Sequence, residues 1–142
     1  MELSVVICIP AYNEEHNIQN VINASSHYGE VIVFDNNSSD QTTSLAILNG
    51  AKVLPVKEQG YDSVIESISV FFKKSKYNKL IIIDGDGEVG LSYIKQSISL
   101  LDNYDAVIGV RPSINRFGEK IVCSLFKNFY VNHSFILRIK RF

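Results

Sequence analysis

The sequence has few cysteines, almost no net charge and no long hydrophobic run, and each absence excludes a class of protein. Its two cysteines, Cys8 and Cys123, lie far apart in apolar segments, so we expect buried free thiols and neither a cysteine zinc site nor a secreted disulfide scaffold. The formal net charge of -1 gives no electrostatic reason to expect nucleic acid as a partner. No window reaches the about 18 apolar residues of a membrane-spanning helix. The short apolar start also lacks the features of a signal peptide, and we therefore expect a cytoplasmic protein.

The sequence also lacks the glycine-rich loops of two large nucleotide-binding classes. No Gly-x-Gly-x-x-Gly follows a predicted strand, which disfavours a Rossmann dehydrogenase. The segment from Pro10 to Glu15 contains no glycine, whereas a nucleotidyltransferase of similar topology should have a glycine-rich phosphate loop there. There is no internal repeat, low-complexity tract or linker, so 142 residues predict one packed domain, residues 1–142.

What the sequence does contain is a regular alternation of predicted strands and helices. The predicted strands are continuous apolar runs, which is typical of strands buried on both faces. They are Val5–Ile9, Val31–Phe34, Val53–Val56, Leu80–Ile83 and Ala106–Ile108. Between them, apolar residues recur at helical spacing. This order predicts an α/β fold with a mostly parallel central sheet, right-handed crossovers and helices on both faces.

Polar segments follow three of the predicted strands. They are Asn13-Glu14, Asp35-Asn36-Asn37-Ser38-Ser39-Asp40 and Asp84-Gly85-Asp86-Gly87-Glu88. Ligands of open parallel sheets bind outside the carboxyl ends of the strands. We therefore expect these segments to share one rim. Ser38, Ser39 and Asp40 could bind a ligand, but the interpretation we favour for them is capping of the following helix.

Asp84 and Asp86 are the strongest candidates for metal ligands. Residues i and i+2 of an extended segment point to the same side, so both carboxylates can face one cation. Gly85 and Gly87 permit a sharp turn and close approach of a ligand, and Glu88 could supply a third oxygen. Mg²⁺ sites commonly use one or two carboxylates and complete the octahedron with water and substrate phosphates. The turn therefore predicts a site for Mg²⁺ or Mn²⁺ against a diphosphate.

Other interpretations of this turn remain open. The aspartates could be solvated or could cap the helix predicted near Leu91. A phosphatase-type aspartate nucleophile is also conceivable, although phosphatases of the haloacid dehalogenase type open with the aspartate strand and here it comes fourth. An EF-hand is excluded because Val89 occupies the loop position that requires glycine.

Four motifs in order resemble family 2 glycosyltransferases, especially the dolichyl-phosphate mannose synthase-like branch. They are Ile9-Pro10-Ala11-Tyr12-Asn13-Glu14-Glu15, Val33-Phe34-Asp35-Asn36-Asn37-Ser38-Ser39-Asp40, Ile83-Asp84-Gly85-Asp86-Gly87-Glu88 and Ile108-Gly109-Val110-Arg111. The resemblance covers roughly residues 3–130. It implies the GT-A fold and transfer of a sugar from a UDP- or GDP-sugar to an acceptor.

The resemblance also implies which residues hold the nucleotide. Pro10, Tyr12 and Glu14 would contact the base and ribose, and an aromatic face and a carboxylate suit that role. Asp35 and Asn36 occupy the positions where relatives usually carry two aspartates. Asn36 departs from that pattern and adds a hydrogen-bond donor, which puts base selectivity in doubt.

Further implied residues surround the diphosphate. Gly60 matches the glycine before the third helix of relatives, while Asp62 departs from their pattern. Glu88 matches a position that in this branch reaches the metal beside Asp84 and Asp86. Three basic residues would face the donor diphosphate or a phosphate-bearing acceptor. They are Arg111, Arg116 and Lys120. We assign the catalytic roles to Asp86 and Arg111.

Longer family members continue with an acceptor-binding region, which we expect this chain to lack. The acceptor could be a polyprenyl phosphate, whose oxygen needs little general-base help, or a growing glycan. Alternatively, the chain is a truncated, non-catalytic module that binds the nucleotide-sugar. The apolar and basic segment from Phe117 to Phe142 is predicted to be an amphipathic helix that ends without a closing strand. It could lie on the inner membrane surface or promote self-association.

Overall fold

A computed structural model describes residues 4–87, 93–104, 106–109, 130–131 and 134–137. The chain forms two compact units, Met1–Lys95 and Gln96–Phe142. The prediction of one domain over residues 1–142 is not tested by this division. Among the described residues, no helix is both long and apolar enough to cross a membrane.

The first unit alternates strands with helices, as the sequence predicts. Its elements are β1 (Val5–Ala11), α1 (Ile18–Ser25), β2 (Glu30–Asp35), α2 (Thr42–Leu48), β3 (Lys52–Pro55), α3 (Tyr61–Lys74) and β4 (Lys79–Ile82), and α4 (Tyr93–Leu100) begins in it. All four strands pair in parallel in the order β3-β2-β1-β4. The α/β fold with a parallel sheet is confirmed.

The strand order determines which helices share a face of the sheet. The chain moves from β1 to β2 to β3 in one direction and then returns past β1 to β4. Because parallel crossovers are right-handed, α1 and α2 lie on one face and α3 on the other. In agreement, α1 contacts α2, and Val64 and Ile68 of α3 pack in a cluster with Cys8 and Phe34 of the sheet. The predicted helices on both faces are confirmed.

Burial of alternate strand residues on both faces explains the continuous apolar runs. Ile7 and Ile9 of β1 are fully buried, and so are Val6 and Cys8, which point to the opposite face. Burial raises the pKa of the Cys8 thiol to about 12 and keeps it protonated, which confirms the expected buried free thiol. Cys123 lies outside the described residues.

A polar cluster joins three elements at the amino-terminal end of the sheet. The Glu30 carboxylate accepts hydrogen bonds from the Lys52 ammonium group and the Tyr77 hydroxyl. Gly29 lies close to β1, since a Cβ on Gly29 would be 2.5 Å from the Val5 carbonyl oxygen. These contacts lie at the edge opposite the polar segments that follow the strands.

The second unit contains an antiparallel sheet that the sequence did not predict. Its strands are β5 (Ala106–Gly109), β6 (Tyr130–Val131) and β7 (Ser134–Leu137), in the order β5-β7-β6. The interpretation of Tyr130 as part of an apolar helix was wrong, and so was the expectation that the C-terminal segment adds no strand. Phe135 and Ile136 favour a strand, but so short an apolar run does not distinguish strand from helix. Residues 117–129 and 138–142 lie outside the described ranges.

Candidate functional site

The candidate site lies where the strand order reverses, between β1 and β4. Here the chain leaves β1 toward one side of the sheet and β4 lies on the other, which leaves a crevice at the carboxyl ends. The pairing of Ala11 with Asp35 and the bond from the Ile83 N–H to the Cys8 carbonyl align the ends of β1, β2 and β4. The three predicted polar segments therefore meet at one rim.

The loops after β1 and β2 are joined by side-chain to backbone hydrogen bonds. The Asn13 N–H donates to Ser38 Oγ at 3.0 Å, and the Ser39 N–H donates to Asn13 Oδ1 at 2.9 Å. Asn13 and Asn37 adopt positive φ angles of 55° and 67°, a conformation that asparagine tolerates better than most residues. These bonds fix the shape of the loop that carries Tyr12 and Glu14.

Asp40 and Thr42 continue this junction at the start of α2. Asp40 Oδ1 accepts from the Thr42 N–H at 2.9 Å and from the Thr42 hydroxyl at 2.5 Å, and Asp40 Oδ2 accepts from the Glu15 N–H at 3.1 Å. Desolvation acts to raise the pKa of Asp40, but the hydrogen bonds from Thr42 and Glu15 outweigh it and lower that pKa. Asp40 therefore stays charged and holds the two loops together.

None of the three residues to which the capping interpretation was applied is the N-cap of α2, which is Gln41 without a side-chain cap hydrogen bond. Asp40 comes one residue earlier, and its Oδ1 accepts the Thr42 N–H at the first residue of the helix. Ser38 and Ser39 bond to Asn13 instead, so for these two the capping interpretation was wrong. Local sequence could not show this, because the loop after β1 is distant in the chain and yet lies within hydrogen-bonding distance of both serines.

The side chains predicted to hold the nucleotide differ in exposure. The Tyr12 side chain is 53% exposed at the rim, which leaves its ring available for stacking. Pro10 is buried. Asp35 is only 8% exposed, and its Oδ1 accepts from the Ser38 N–H at 3.3 Å. Glu14 is partly buried and accepts from Asn17 Nδ2 at 3.4 Å.

The turn after β4 packs directly against the loop after β1. A Cβ on Gly85 would be 3.1 Å from the Pro10 carbonyl oxygen and 3.3 Å from Glu14 Cγ. The absence of a side chain at Gly85 therefore lets the loop after β1 pack against this turn. The sequence had suggested only that it lets a ligand approach the backbone. The flanking Asp84 and Asp86 are partly buried. This contact brings the predicted metal turn to the predicted nucleotide loop.

The donor set of this turn fits a Mg²⁺-type ion. In the described part of the chain, no group of three or more His, Cys, Asp or Glu side chains could hold a metal by itself. Asp84 and Asp86 provide two carboxylates, which matches sites that take their remaining ligands from water and substrate phosphates. Glu88, the third predicted ligand, lies outside the described residues.

Two features at and just before the start of α3 were not found from the sequence. Tyr61, at the start of α3, lies near the Asp84 carboxylate. Burial raises the pKa of the Tyr61 hydroxyl, and the neighbouring Asp84 carboxylate raises it further. With its nitrogen toward Glu58, the Asn36 amide donates to the Glu58 carbonyl oxygen and accepts from the Gly60 N–H, both at 3.2 Å. The signal in the sequence that could have pointed to Tyr61 was its position next to Gly60.

Three basic residues were predicted to face the diphosphate. Arg111, Arg116 and Lys120 lie outside the described residues, and so their roles at the diphosphate stay predictions. The nucleotide-contacting roles of Pro10, Tyr12, Glu14, Asp35, Asn36 and Gly60 and the metal-binding roles of Asp84, Asp86 and Glu88 also stay predictions.

Comparison with known proteins identifies the family. The family model described as "Glycosyl transferase family 2" matches residues 6–138. The chain belongs to glycosyl transferase family 2. This confirms the resemblance carried by the four motifs, while the dolichyl-phosphate mannose synthase-like branch stays a prediction.

Two proteins similar to this chain come from bacteria. Protein RfbJ of Shigella flexneri is 31% identical over 113 residues, which cover 76% of this chain and 85% of that protein. An uncharacterized glycosyltransferase of Mycobacterium bovis is 29% identical over 112 residues, which cover 78% of this chain and 50% of the relative.

Solved structures share the glycosyltransferase fold. Glucosyl-3-phosphoglycerate synthase from Mycobacterium tuberculosis in complex with UDP superposes with a TM-score of 0.70 and 21% identity, covering 90% of this chain and 50% of that one. The same synthase with Mn²⁺ and UDP-glucose gives a TM-score of 0.70 and 20% identity, and the match covers 89% of this chain and 51% of the synthase chain. This family member thus spans about half the length of these mycobacterial proteins.

Proposed function

We propose that the rim of the first unit binds a nucleotide-diphosphate sugar with Mg²⁺ or Mn²⁺, and that the chain transfers the sugar to an acceptor. The observation that carries the proposal is the contact of Gly85 with Pro10 and Glu14. It brings the Asp84–Asp86 turn beside the β1 loop at the reversal of strand order, where ligands of such sheets bind.

The nucleotide-binding residues have chemistry that suits a nucleoside. The exposed Tyr12 ring can stack on a base. Glu14 and Asp35 would offer carboxylate oxygens to ribose hydroxyls or to N–H groups of the base. The buried Pro10 would contact the nucleoside from the β1 side. We propose a uridine donor, because the similar mycobacterial structures contain UDP and UDP-glucose. Guanosine is the alternative that binding experiments must compare.

Asp84 and Asp86 would hold the metal, with Glu88 as a third ligand. The bound ion would neutralise the charge that develops on the leaving diphosphate. A similar mycobacterial synthase has been crystallised with Mn²⁺ and UDP-glucose, which supports this metal for the chain. Asp86 and Arg111 are the residues to which we assign the catalytic roles, and Arg116 and Lys120 would face the phosphates.

For the acceptor we propose a polyprenyl phosphate at the inner membrane face. A phosphate oxygen forms the new bond to the anomeric carbon while the bond from that carbon to the diphosphate breaks, and the nucleoside diphosphate leaves. Because the attacking oxygen is already an anion, the step needs no general base. Peripheral membrane binding and self-association through the apolar and basic segment 117–142 belong to the same proposal.

Turnover is tested with radiolabelled UDP-glucose and GDP-mannose, each incubated with polyprenyl phosphate and Mn²⁺. We expect labelled lipid from one donor, and none from the Asp86→Asn variant. Glu66→Gln is the matched control, since Glu66 is an exposed carboxylate of α3 away from the rim. The same assay is repeated with a glycan as the acceptor. If the donor binds in a metal-dependent way but neither acceptor becomes labelled, the chain is the non-catalytic binding module instead.

A further inference from the structure

Tyr12 is an exposed aromatic residue whose backbone is held on both sides. The carbonyl oxygen of Ala11, in the peptide unit before Tyr12, accepts a hydrogen bond from the Asn36 N–H at 2.8 Å. The N–H of Asn13, in the peptide unit after Tyr12, donates to Ser38 Oγ at 3.0 Å. Both partners belong to the loop after β2, so one loop fixes the two peptide units that flank Tyr12.

The Asn13 side chain strengthens this junction. Asn13 Oδ1 accepts from the Ser39 N–H at 2.9 Å and from the Ser39 hydroxyl at 3.4 Å. Asn13 also has a φ of 55°, a left-handed conformation that costs free energy for a residue with a side chain and persists only where the surrounding structure holds it. The hydrogen bonds to the two serines hold it here, directly after Tyr12.

Ser38 also binds the side chain at the end of β2. Its N–H donates to Asp35 Oδ1 at 3.3 Å, while its Oγ accepts the Asn13 N–H. Asp35 is only 8% exposed, whereas Tyr12 is 53% exposed. One serine therefore links a nearly buried carboxylate to the backbone of an exposed aromatic residue. These are two of the groups that we expect to contact the nucleoside.

We propose that Asn13 and Ser38 are positioning residues that hold Tyr12 in place for stacking on the base of the donor. Because both flanking peptide units are fixed, only the side-chain torsions of Tyr12 remain to be ordered when the nucleotide binds. A group that is already ordered loses less conformational freedom on binding, and this strengthens the affinity. The inference rests on the proposed function, since it assigns the support of the same nucleotide site.

The first test is calorimetric titration of UDP into two variants, in Mn²⁺ and in EDTA. Asn13→Gly permits the positive φ but removes the acceptor of the Ser39 N–H. Ser38→Ala removes the acceptor of the Asn13 N–H and keeps the N–H that binds Asp35. Each variant loses a hydrogen bond that fixes the loop, so UDP binding should weaken about 3- to 10-fold. The factor should be the same in Mn²⁺ and in EDTA, because the base site and not the metal turn is changed.

A double-mutant cycle tests whether the two residues act through Tyr12. The Tyr12→Ala background has no ring to position. In this background, Asn13→Gly and Ser38→Ala should each change UDP affinity by less than about twofold. A side chain that contacts the nucleotide directly would cause its full loss in either background, so the cycle separates positioning from direct contact.

Two matched controls make the same substitutions elsewhere. Asn49→Gly removes an amide at the end of α2 that donates to the Leu45 carbonyl at 2.8 Å. Ser69→Ala removes a hydroxyl of α3 that donates to the Ile65 carbonyl at 2.8 Å. Neither should change UDP affinity. Melting temperatures verify that every variant is folded at the temperature of the titration.

Two results would overturn the inference while the proposed function stands. If either Asn13→Gly or Ser38→Ala binds UDP as tightly as the wild type does, that residue does not position the base site. If the losses persist in the Tyr12→Ala background, the two residues do not act through Tyr12. If the wild-type protein shows no metal-dependent UDP or GDP binding, the proposed function itself fails.

Discussion

The Glu14 backbone N–H donates to the Thr42 hydroxyl at 2.8 Å, which joins the loop after β1 to the first residue of α2. Thr42 is fully buried, and its hydroxyl in turn donates to Asp40 Oδ1 at 2.5 Å. The Thr42 hydroxyl thus accepts a hydrogen bond from the loop after β1 and donates one to Asp40 in the loop after β2. The geometry of the rim depends on this link, since Glu14 also packs against Gly85.

Replacing Thr42 with valine keeps its shape but removes both hydrogen bonds. The Glu14 N–H and the Asp40 carboxylate each lose a partner, so the free energy of unfolding should fall by about 1–3 kcal/mol in urea titrations. Thr43→Val, at the partly buried neighbouring position, is the control and should change it much less. An unchanged stability of Thr42→Val would contradict the role of this hydroxyl in joining the loops.

Adding a methyl group at Gly85 should separate the predicted metal turn from the predicted nucleotide loop. The new Cβ would be 3.1 Å from the Pro10 carbonyl oxygen, and a backbone atom cannot rotate away as a side chain can. We expect Gly85→Ala to weaken Mn²⁺-dependent UDP binding at least about 10-fold, measured by calorimetry.

The control for Gly85→Ala is Gly50→Ala. Gly50 has φ 84°, and a Cβ added to it would meet no atom within 4 Å, so this change introduces backbone strain without a clash. It should cost about 1 kcal/mol of stability and leave UDP affinity unchanged. Equal binding losses in both variants would show that general destabilisation, and not the Gly85 contact, weakens UDP binding.

The Glu30 cluster predicts a dependence of stability on acid pH. Hydrogen bonds from Lys52 and Tyr77 lower the pKa of Glu30 despite some desolvation. A folded-state pKa below the unfolded value means that the contribution is complete above the unfolded pKa and is lost as pH falls through the folded one. Because Lys52 is largely exposed, the effect should not exceed about 1 kcal/mol.

Urea titrations from neutral pH down through the acid range test this dependence. The wild-type protein should lose more stability over that range than Glu30→Gln, which has no carboxylate to titrate. Glu66→Gln, at an exposed position of α3, should follow the wild-type curve. Parallel curves for wild type and Glu30→Gln would rule out the contribution of the cluster.

The sequence predicted the first unit well because its strongest signals are local. Continuous runs such as Val31–Phe34 indicate strands buried on both faces, and the order of elements then predicts the parallel sheet. The three polar segments follow from the same order, because the carboxyl ends of parallel strands lie at one edge. The spacing of two residues between Asp84 and Asp86 was enough to predict that their carboxylates lie on the same side of the chain.

The missed features depend on contacts between distant residues. The hydrogen bonds of the Asn36 amide require the conformation of residues 58–60, including the unusual backbone of Gly60, which no local pattern at Asn36 indicates. Ser38 and Ser39 suit a helix cap by type, but the β1 loop binds them. Ser134–Leu137 is too short for periodicity to distinguish a strand from a helix.

The central claim is that the Asp84–Asp86 turn holds a divalent cation against the diphosphate of the donor. Calorimetric titration of UDP into wild-type protein and Asp86→Asn, each in Mn²⁺ and in EDTA, tests it most directly. We expect Mn²⁺ to strengthen binding to the wild type and to leave Asp86→Asn at the affinity measured in EDTA. Equal strengthening of both proteins by Mn²⁺ would contradict the claim.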